Sequence, residues 1–224
     1  MSKMFTYQGK RLKTWNPFTG CGFNCSYCWA RKLAEGKLRN SYPNGFIPEF
    51  HPDRLKVSFK LDDFVFVCSM GDISFVPTYV IEEIWDCVLK FSDTKFLLCT
   101  KNPSIYARFK EVPDNLYLGT TIETNRAYPK SISKAPEVLL RYGIMASLEG
   151  VNHKFISIEP IMDFDLIEFS RWIYDINPEI VEIGADNYNN NLPEPSSDKI
   201  HKLIDILTLH GVNLVQKQGL ERLL

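Results

Sequence analysis

The chain has 224 residues, a formal net charge of −1, 45% apolar residues and 24% charged ones. That is ordinary globular composition at a length that gives one or two domains with a sizeable core. A near-neutral chain has no global basic field to draw nucleic acid, although a local patch can still serve.

Residues 1–13 are polar and basic with no apolar centre, unlike a secretory leader. No run of about 18 apolar residues occurs, so no membrane span is expected. Six cysteines are present; three crowd into positions 21–28, while Cys68, Cys87 and Cys99 are scattered. A disulfide framework is not expected in such a chain. A reducing cytoplasm is, and there clustered cysteines usually bind metal.

Taken in chain order, short apolar runs rich in β-branched and aromatic residues alternate with helical patterns. The runs are 12–15, 64–68, 95–99, 116–121, 155–158, 180–183 and 212–215. Their nearly continuous apolar character predicts parallel strands buried on both faces. After the second run, 79–91 places Val80, Ile84, Val88 and Phe91 on one helical face. The stretches 136–148 and 165–174 are weaker helical patterns. Before the last run, 197–209 places Ile200, Leu203, Ile204 and Leu207 on one face, and Gly211 stops it.

This alternation predicts an α/β fold of right-handed βαβ units, with no domain boundary within 1–224. Six or seven units suggest a partial (β/α)6-type TIM barrel, with or without a seventh C-terminal strand. A doubly wound sheet is the alternative. Two stretches break the rhythm. Residues 36–60, with Pro43, Pro48 and Pro52, form a long loop insertion suited to a substrate lid; 186–197, with an Asn run, Pro193 and Pro195, forms a second loop.

Directly after the first run, Thr19-Gly20-Cys21-Gly22-Phe23-Asn24-Cys25-Ser26-Tyr27-Cys28 carries C-x3-C-x2-C. A cubane iron–sulfur cluster normally takes four thiolates. Three in one compact loop can hold three irons and leave the fourth open to a substrate or cofactor. Structural zinc wants four ligands; here no second C-x2-C pair exists, and His51, His153, His201 and His210 are scattered. Cys21, Cys25 and Cys28 are therefore candidate ligands of an iron–sulfur cluster, with zinc and simple packing as rivals.

An aromatic residue before the last cysteine, after the first strand of a β/α chain, makes this motif resemble the radical S-adenosylmethionine (SAM) superfamily. The segments Thr14-Trp15-Asn16-Pro17-Phe18-Thr19-Gly20-Cys21, Cys28-Trp29-Ala30 and Phe66-Val67-Cys68-Ser69-Met70-Gly71-Asp72 are similar to a phage-associated, largely uncharacterised family of radical-SAM-like proteins. Thr100-Lys101-Asn102-Pro103, Gly119-Thr120-Thr121-Ile122-Glu123, Ser157-Ile158-Glu159-Pro160 and Val215-Gln216-Lys217-Gln218 follow in that family's order, so the resemblance spans nearly the whole chain.

The resemblance implies a [4Fe-4S] cluster on the three cysteines and SAM chelated at the open iron. Reductive cleavage of SAM would give a 5′-deoxyadenosyl radical that abstracts hydrogen from a substrate, with the protein orienting the cofactor and excluding water. Tyr27 would lie near the adenine. Ser69, Met70, Gly71 and Asp72 stand where the superfamily commonly carries a Gly-Gly-Glu-like stretch for the SAM amino group, and depart from it. Gly71 would permit close backbone approach. Thr121, Glu123 and Asn125 would meet the SAM ribose or carboxylate, at the strand end where barrel active sites gather. Lys101 could pair with the SAM carboxylate or a substrate anion. Glu159, with Asp163 beyond it, Lys217, and Asp186 with Asn187 complete the candidates. Cys68 and Cys99 lie near strand ends, where a hydrogen-donor thiol is one option and packing the commoner one. Cys87 is read as packing.

The substrate is not named by the sequence. Lys3, Lys10, Arg11 and Lys13, then Arg31, Lys32, Lys37 and Arg39, are interleaved with Tyr7, Trp15, Phe18, Phe23 and Trp29. Such a strip can contact a nucleotide or nucleic acid, and a solvated face over core aromatics is the plainer reading. A reductant such as flavodoxin or ferredoxin is the implied partner. The competing function is an iron–sulfur or zinc protein without SAM chemistry, acting in electron transfer or nucleic-acid binding.

Overall fold

The structure, a computed structural model, describes residues 6–7, 10–109 and 111–224. Seven strands form one sheet: β1 (Lys13–Trp15), β2 (Phe64–Val67), β3 (Lys95–Thr100), β4 (Leu116–Thr121), β5 (His153–Ile158), β6 (Ile180–Ile183) and β7 (Asn213–Gln216). Every neighbouring pair is parallel, and the spatial order is the chain order. A doubly wound sheet reverses its order part-way, so that alternative falls. The architecture is a curled half-barrel with β1 and β7 at its edges, and the seventh strand is present.

Strand alternation splits the apolar residues into two layers. Val65, Leu98, Leu118, Ile156 and Val181 face outward into the main core beneath the helices. Leu12, Phe64, Leu97, Tyr117, Phe155 and Ile180 face inward and plug the concave side. Burial on both faces is why the central strands read as nearly continuous apolar runs.

Five α-helices follow: α1 (Trp29–Glu35), α2 (Thr78–Lys90), α3 (Val138–Ser147), α4 (Leu166–Ile176) and α5 (Ser197–Leu209). The expected stripes are the buried ones, with Val80, Ile84 and Val88 on α2 and Ile200, Leu203 and Leu207 on α5. The β3–β4 crossover has only a 3-10 helix, Pro103–Arg108. There the buried Tyr106 hydroxyl donates to Gly119 O at 2.6 Å and ties the short helix to β4.

The 36–60 stretch is more ordered than a free loop. Glu49–Phe50 pairs antiparallel with Phe18–Thr19, and a 3-10 helix spans Pro52–Leu55. Trp15 Nε1 donates to Arg54 O at 2.7 Å, and the Trp15 and Phe59 rings meet edge to face at 5.6 Å. Apolar anchors thus fasten its second half. No helix among the described residues is long and apolar enough to cross a membrane. The N-terminal part of the basic strip falls on Lys3, which lies outside the described residues, and on Tyr7, Lys10 and Arg11, whose side chains do.

Candidate metal centre

The loop leaving β1 carries the three clustered cysteines at the carboxyl end of the sheet, where α/β barrels place their active sites. It turns at Gly20, whose φ of +87° suits glycine. Gly20 N donates to Met70 O at 2.9 Å, and its carbonyl accepts from Asp72 N at 3.3 Å. A Cβ on Gly71 would stand 2.9 Å from Gly20 O. The close approach expected at Gly71 is thus made by the cysteine loop itself.

The other side of the loop is cradled by the β4–α3 connection. Ser26 N donates to Ile132 O at 2.9 Å and Lys134 N to Phe23 O at 2.7 Å, while Cys25 Sγ lies 3.1 Å from Ser133 Oγ. Cys28 N-caps α1, its sulfur accepting from Arg31 N at 3.4 Å; Cys21 sulfur accepts from Phe23 N at 3.4 Å. All six cysteines are free. Burial pushes the Cys21 thiol up, with the Asp72 charge adding to it. Burial also raises Cys28, against the opposing N–H of Arg31.

Among the described residues, no three His, Cys, Asp or Glu side chains converge as one bound ion requires. A zinc ion roughly 2.3 Å from each sulfur needs that convergence. A polynuclear cluster spreads its thiolates over separate irons, and the loop's donor set suits it: three thiols in one turn, two of them already accepting backbone N–H groups. The residues present fit that group.

Next to the loop is a fully buried carboxylate, Glu123. Its Oε1 accepts from the Tyr27 hydroxyl at 2.5 Å and from Lys101 Nζ; its Oε2 accepts from Arg141 Nη1 at 3.0 Å and from the Tyr128 hydroxyl at 3.4 Å. Burial alone would raise this carboxyl, but Arg141 and Lys101 hold it at about 2. Burial works against the Lys101 ammonium, but Glu123, with smaller help from Cys25 and Tyr128, leaves it raised. Burial and the Glu123 charge push the Tyr27 phenol well above its usual range. Two cations face one carboxylate here, so this side of the mouth is positive.

Across the concave face lies a second buried group. Lys217 Nζ pairs with Glu159 and, at 3.4 Å, with Glu182, which also accepts from Ser157 Oγ at 2.6 Å. Two carboxylates share one ammonium, so this side is negative. Burial raises Glu159, helped by Glu182 and opposed by Lys217. Cys99 Sγ lies 4.0 Å from Thr121 Oγ1.

The structure therefore brings together Cys21, Cys25, Cys28, Tyr27, Lys101 and Glu123, and separately Glu159 and Lys217. Other candidates are engaged elsewhere. The Asp72 carboxylate takes Ser74 N at 3.0 Å, Ser74 Oγ at 2.7 Å, Thr100 Oγ1 at 2.5 Å and Lys101 N at 2.9 Å, tying β2 to β3. Ser69 Oγ and Met70 N both donate to Asn16 Oδ1. Asn125 bonds Glu168 and Asp165 N at the start of α4. Asp186 closes its own loop by accepting from Tyr188 N and Asn190 N. Asp163 pairs with Lys199 and Arg126.

Sequence reasoning missed Arg141, Tyr128 and Glu182. Two of them carry a signal. Val138, Arg141 and Met145 form the buried stripe of α3, so an arginine stands among core positions. Glu182 is a charge within the otherwise apolar run 180–183. A surface hollow of about 490 Å³ opens at the first turn of α4, lined by Phe164, Ile167, Arg171 and Lys199 among others. No residue of the cysteine loop lines it.

The profile of the family described as protein of unknown function DUF5131 matches residues 10–181, more than half of the chain. The chain belongs to this family. No curated protein matches the sequence. Among solved structures, the DUF5131 chain is similar to a spore photoproduct lyase bound to a dinucleoside spore photoproduct, with a TM-score of 0.58 and 10% identity over 85% of this chain and 59% of that one. It is similar to Streptococcus suis SuiB bound to the precursor peptide SuiA, with a TM-score of 0.55 and 12% identity over 92% and 48%. It also resembles a radical SAM methyltransferase from Sphaerobacter thermophilus, with a TM-score of 0.53 and 13% identity over 96% and 69%. At these identities the likeness establishes the fold, the partial barrel of radical SAM enzymes. The DUF5131 chain spans only about half to two thirds of these proteins.

Proposed function

We propose that this protein is a radical SAM enzyme in which Cys21, Cys25 and Cys28 hold a [4Fe-4S] cluster. The observation that carries the reading is the thiol-rich loop at the carboxyl end of β1, in a half-barrel that solved radical SAM enzymes share. Three protein thiolates leave one iron for the amino and carboxylate groups of SAM. When bound and reduced, that pair supplies a 5′-deoxyadenosyl radical able to take hydrogen from a carbon. The chain's own residues bind, orient and shield. Phe23 N and Arg31 N stabilise thiolate charge at Cys21 and Cys28. Lys101, its side chain 15% exposed, keeps N–H donors beyond the one given to Glu123 and suits a carboxylate. Glu159 and Glu182 suit a donor group of the substrate. A one-electron donor such as flavodoxin or ferredoxin is required.

The saturation of Asp72 and Glu123 by protein donors favours a second reading, an iron–sulfur protein without SAM chemistry. The test is anaerobic reconstitution and dithionite reduction with SAM. Formation of 5′-deoxyadenosine, with a change in the cluster's EPR signal on adding SAM, supports the enzyme. Iron without either outcome leaves the second reading, and one zinc with no iron defeats both. Nucleotides and nucleic acid are the first substrates to offer, because Arg31 and Lys32 lie beside the loop.

A further inference from the structure

We infer that Arg141 is a positioning residue whose guanidinium fixes the β4–α3 connection as the cradle of the cysteine loop. The inference deepens the cluster reading and rests on it for its spectroscopic arm only. Arg141 is fully buried on α3 and makes four hydrogen bonds. Nε donates to Pro136 O at 3.0 Å, Nη1 to Thr121 O at 2.6 Å and to Glu123 Oε2 at 3.0 Å, and Nη2 to the Tyr128 hydroxyl. These partners are the start, middle and end of the segment joining β4 to α3. That same segment holds the loop through Ile132, Ser133 and Lys134, and Glu123 takes the hydroxyl of Tyr27, which sits between Cys25 and Cys28. One planar fork thus sets both the backbone that receives the loop and the carboxylate that grips it. A lysine would keep the charge opposite Glu123 but could not serve four acceptors in one plane.

The test compares wild type, Arg141→Lys, Tyr27→Phe and the double variant, all as full chains. Tyr27→Phe removes only the hydroxyl and guards against failure of the arginine variant to fold. Alkylation of Cys25 and Cys28 in metal-free protein, resolved by mass spectrometry, reads the loop without any cluster. Both single variants should speed alkylation by about tenfold, the effect of opening the loop by one decade in its equilibrium. The double variant should be no faster than the faster single one, because both changes break the same chain of contacts. After reconstitution, the same variants should share a broadened or shifted cluster EPR signal. Wild-type alkylation rates in Tyr27→Phe and in a folded Arg141→Lys would overturn the inference, as would multiplicative effects in the double variant. A wild type that takes up no iron would sink the cluster reading and leave the alkylation result standing on its own.

Discussion

The Tyr27 hydroxyl donates to Glu123 Oε1 at 2.5 Å, joining residues 96 positions apart in the chain. Glu123 is held at about 2 against an ordinary value of 4.5. The folded state therefore favours the charged form, and its contribution to stability is full above about pH 4.5 and lost as pH falls toward 2. The difference corresponds to roughly 3 kcal/mol. Urea unfolding of the metal-free protein should weaken between about pH 5 and 3, and Glu123→Gln should be less stable at pH 7 with a flatter acid limb. Parallel curves for the two proteins would remove Glu123 from the account.

Replacing Cys21, Cys25 or Cys28 singly by alanine should abolish the visible absorption of the reconstituted cluster and drop bound iron well below the wild-type ratio. Two thiolates are too few for a cubane that already uses one fewer than the normal four. Circular dichroism should be unchanged, since the half-barrel core lies elsewhere. Cys87→Ala, on α2, should load iron normally. Equal iron in all four variants would disprove the ligand assignment.

Lys217 is shared by two carboxylates, and its side chain is 10% exposed against 21% for Glu159 and 8% for Glu182. Lys217→Met should cost about 3 kcal/mol at pH 7, because it strands buried charge. Burial already raises Glu159, and losing the ammonium raises it further. The variant should therefore regain stability as pH falls and the Glu159 carboxyl takes up a proton. A deficit that is constant between pH 7 and 5 would contradict this.

Gly71→Ala would place a methyl 2.9 Å from Gly20 O and 3.1 Å from Gly20 N. The cost of pushing the loop away should be about 1–3 kcal/mol, read as a lower thermal midpoint together with reduced iron loading. Gly143→Ala, where an added Cβ meets nothing within 4 Å, serves as the control. Normal loading in Gly71→Ala would mean that the loop's seat is more tolerant than the Gly20 contact implies.

The half-barrel was legible because its central strands are buried on both faces, which gives 95–99 and 116–121 a nearly continuous apolar character. The third crossover was not, since Pro103–Arg108 folds as a short 3-10 helix held by the contact of Tyr106 with Gly119 rather than by a helical stripe of its own. The cysteine triplet was legible from spacing alone. The partners of Asp72 were not: a carboxylate after a strand reads the same whether it meets a ligand or, as here, four donors from Ser74, Thr100 and Lys101. Arg141 was hidden for a related reason, because only the fold shows that its three acceptor carbonyl and carboxylate groups and Tyr128 surround one point on α3.

The cysteine loop lies early in the chain, yet supports for it come from Glu123, Ile132, Ser133 and Lys134, and Leu192 belongs to the same buried cluster as Cys25 and Tyr27. These are contacts of long sequence separation, which form late because loop closure must precede them. During synthesis the three thiols emerge well before the β4–α3 connection that forms one side of their seat. On the proposed reading, iron–sulfur delivery would act on a polypeptide extended past residue 134, and a chain stalled or truncated before it would lack the β4–α3 side of the loop's seat.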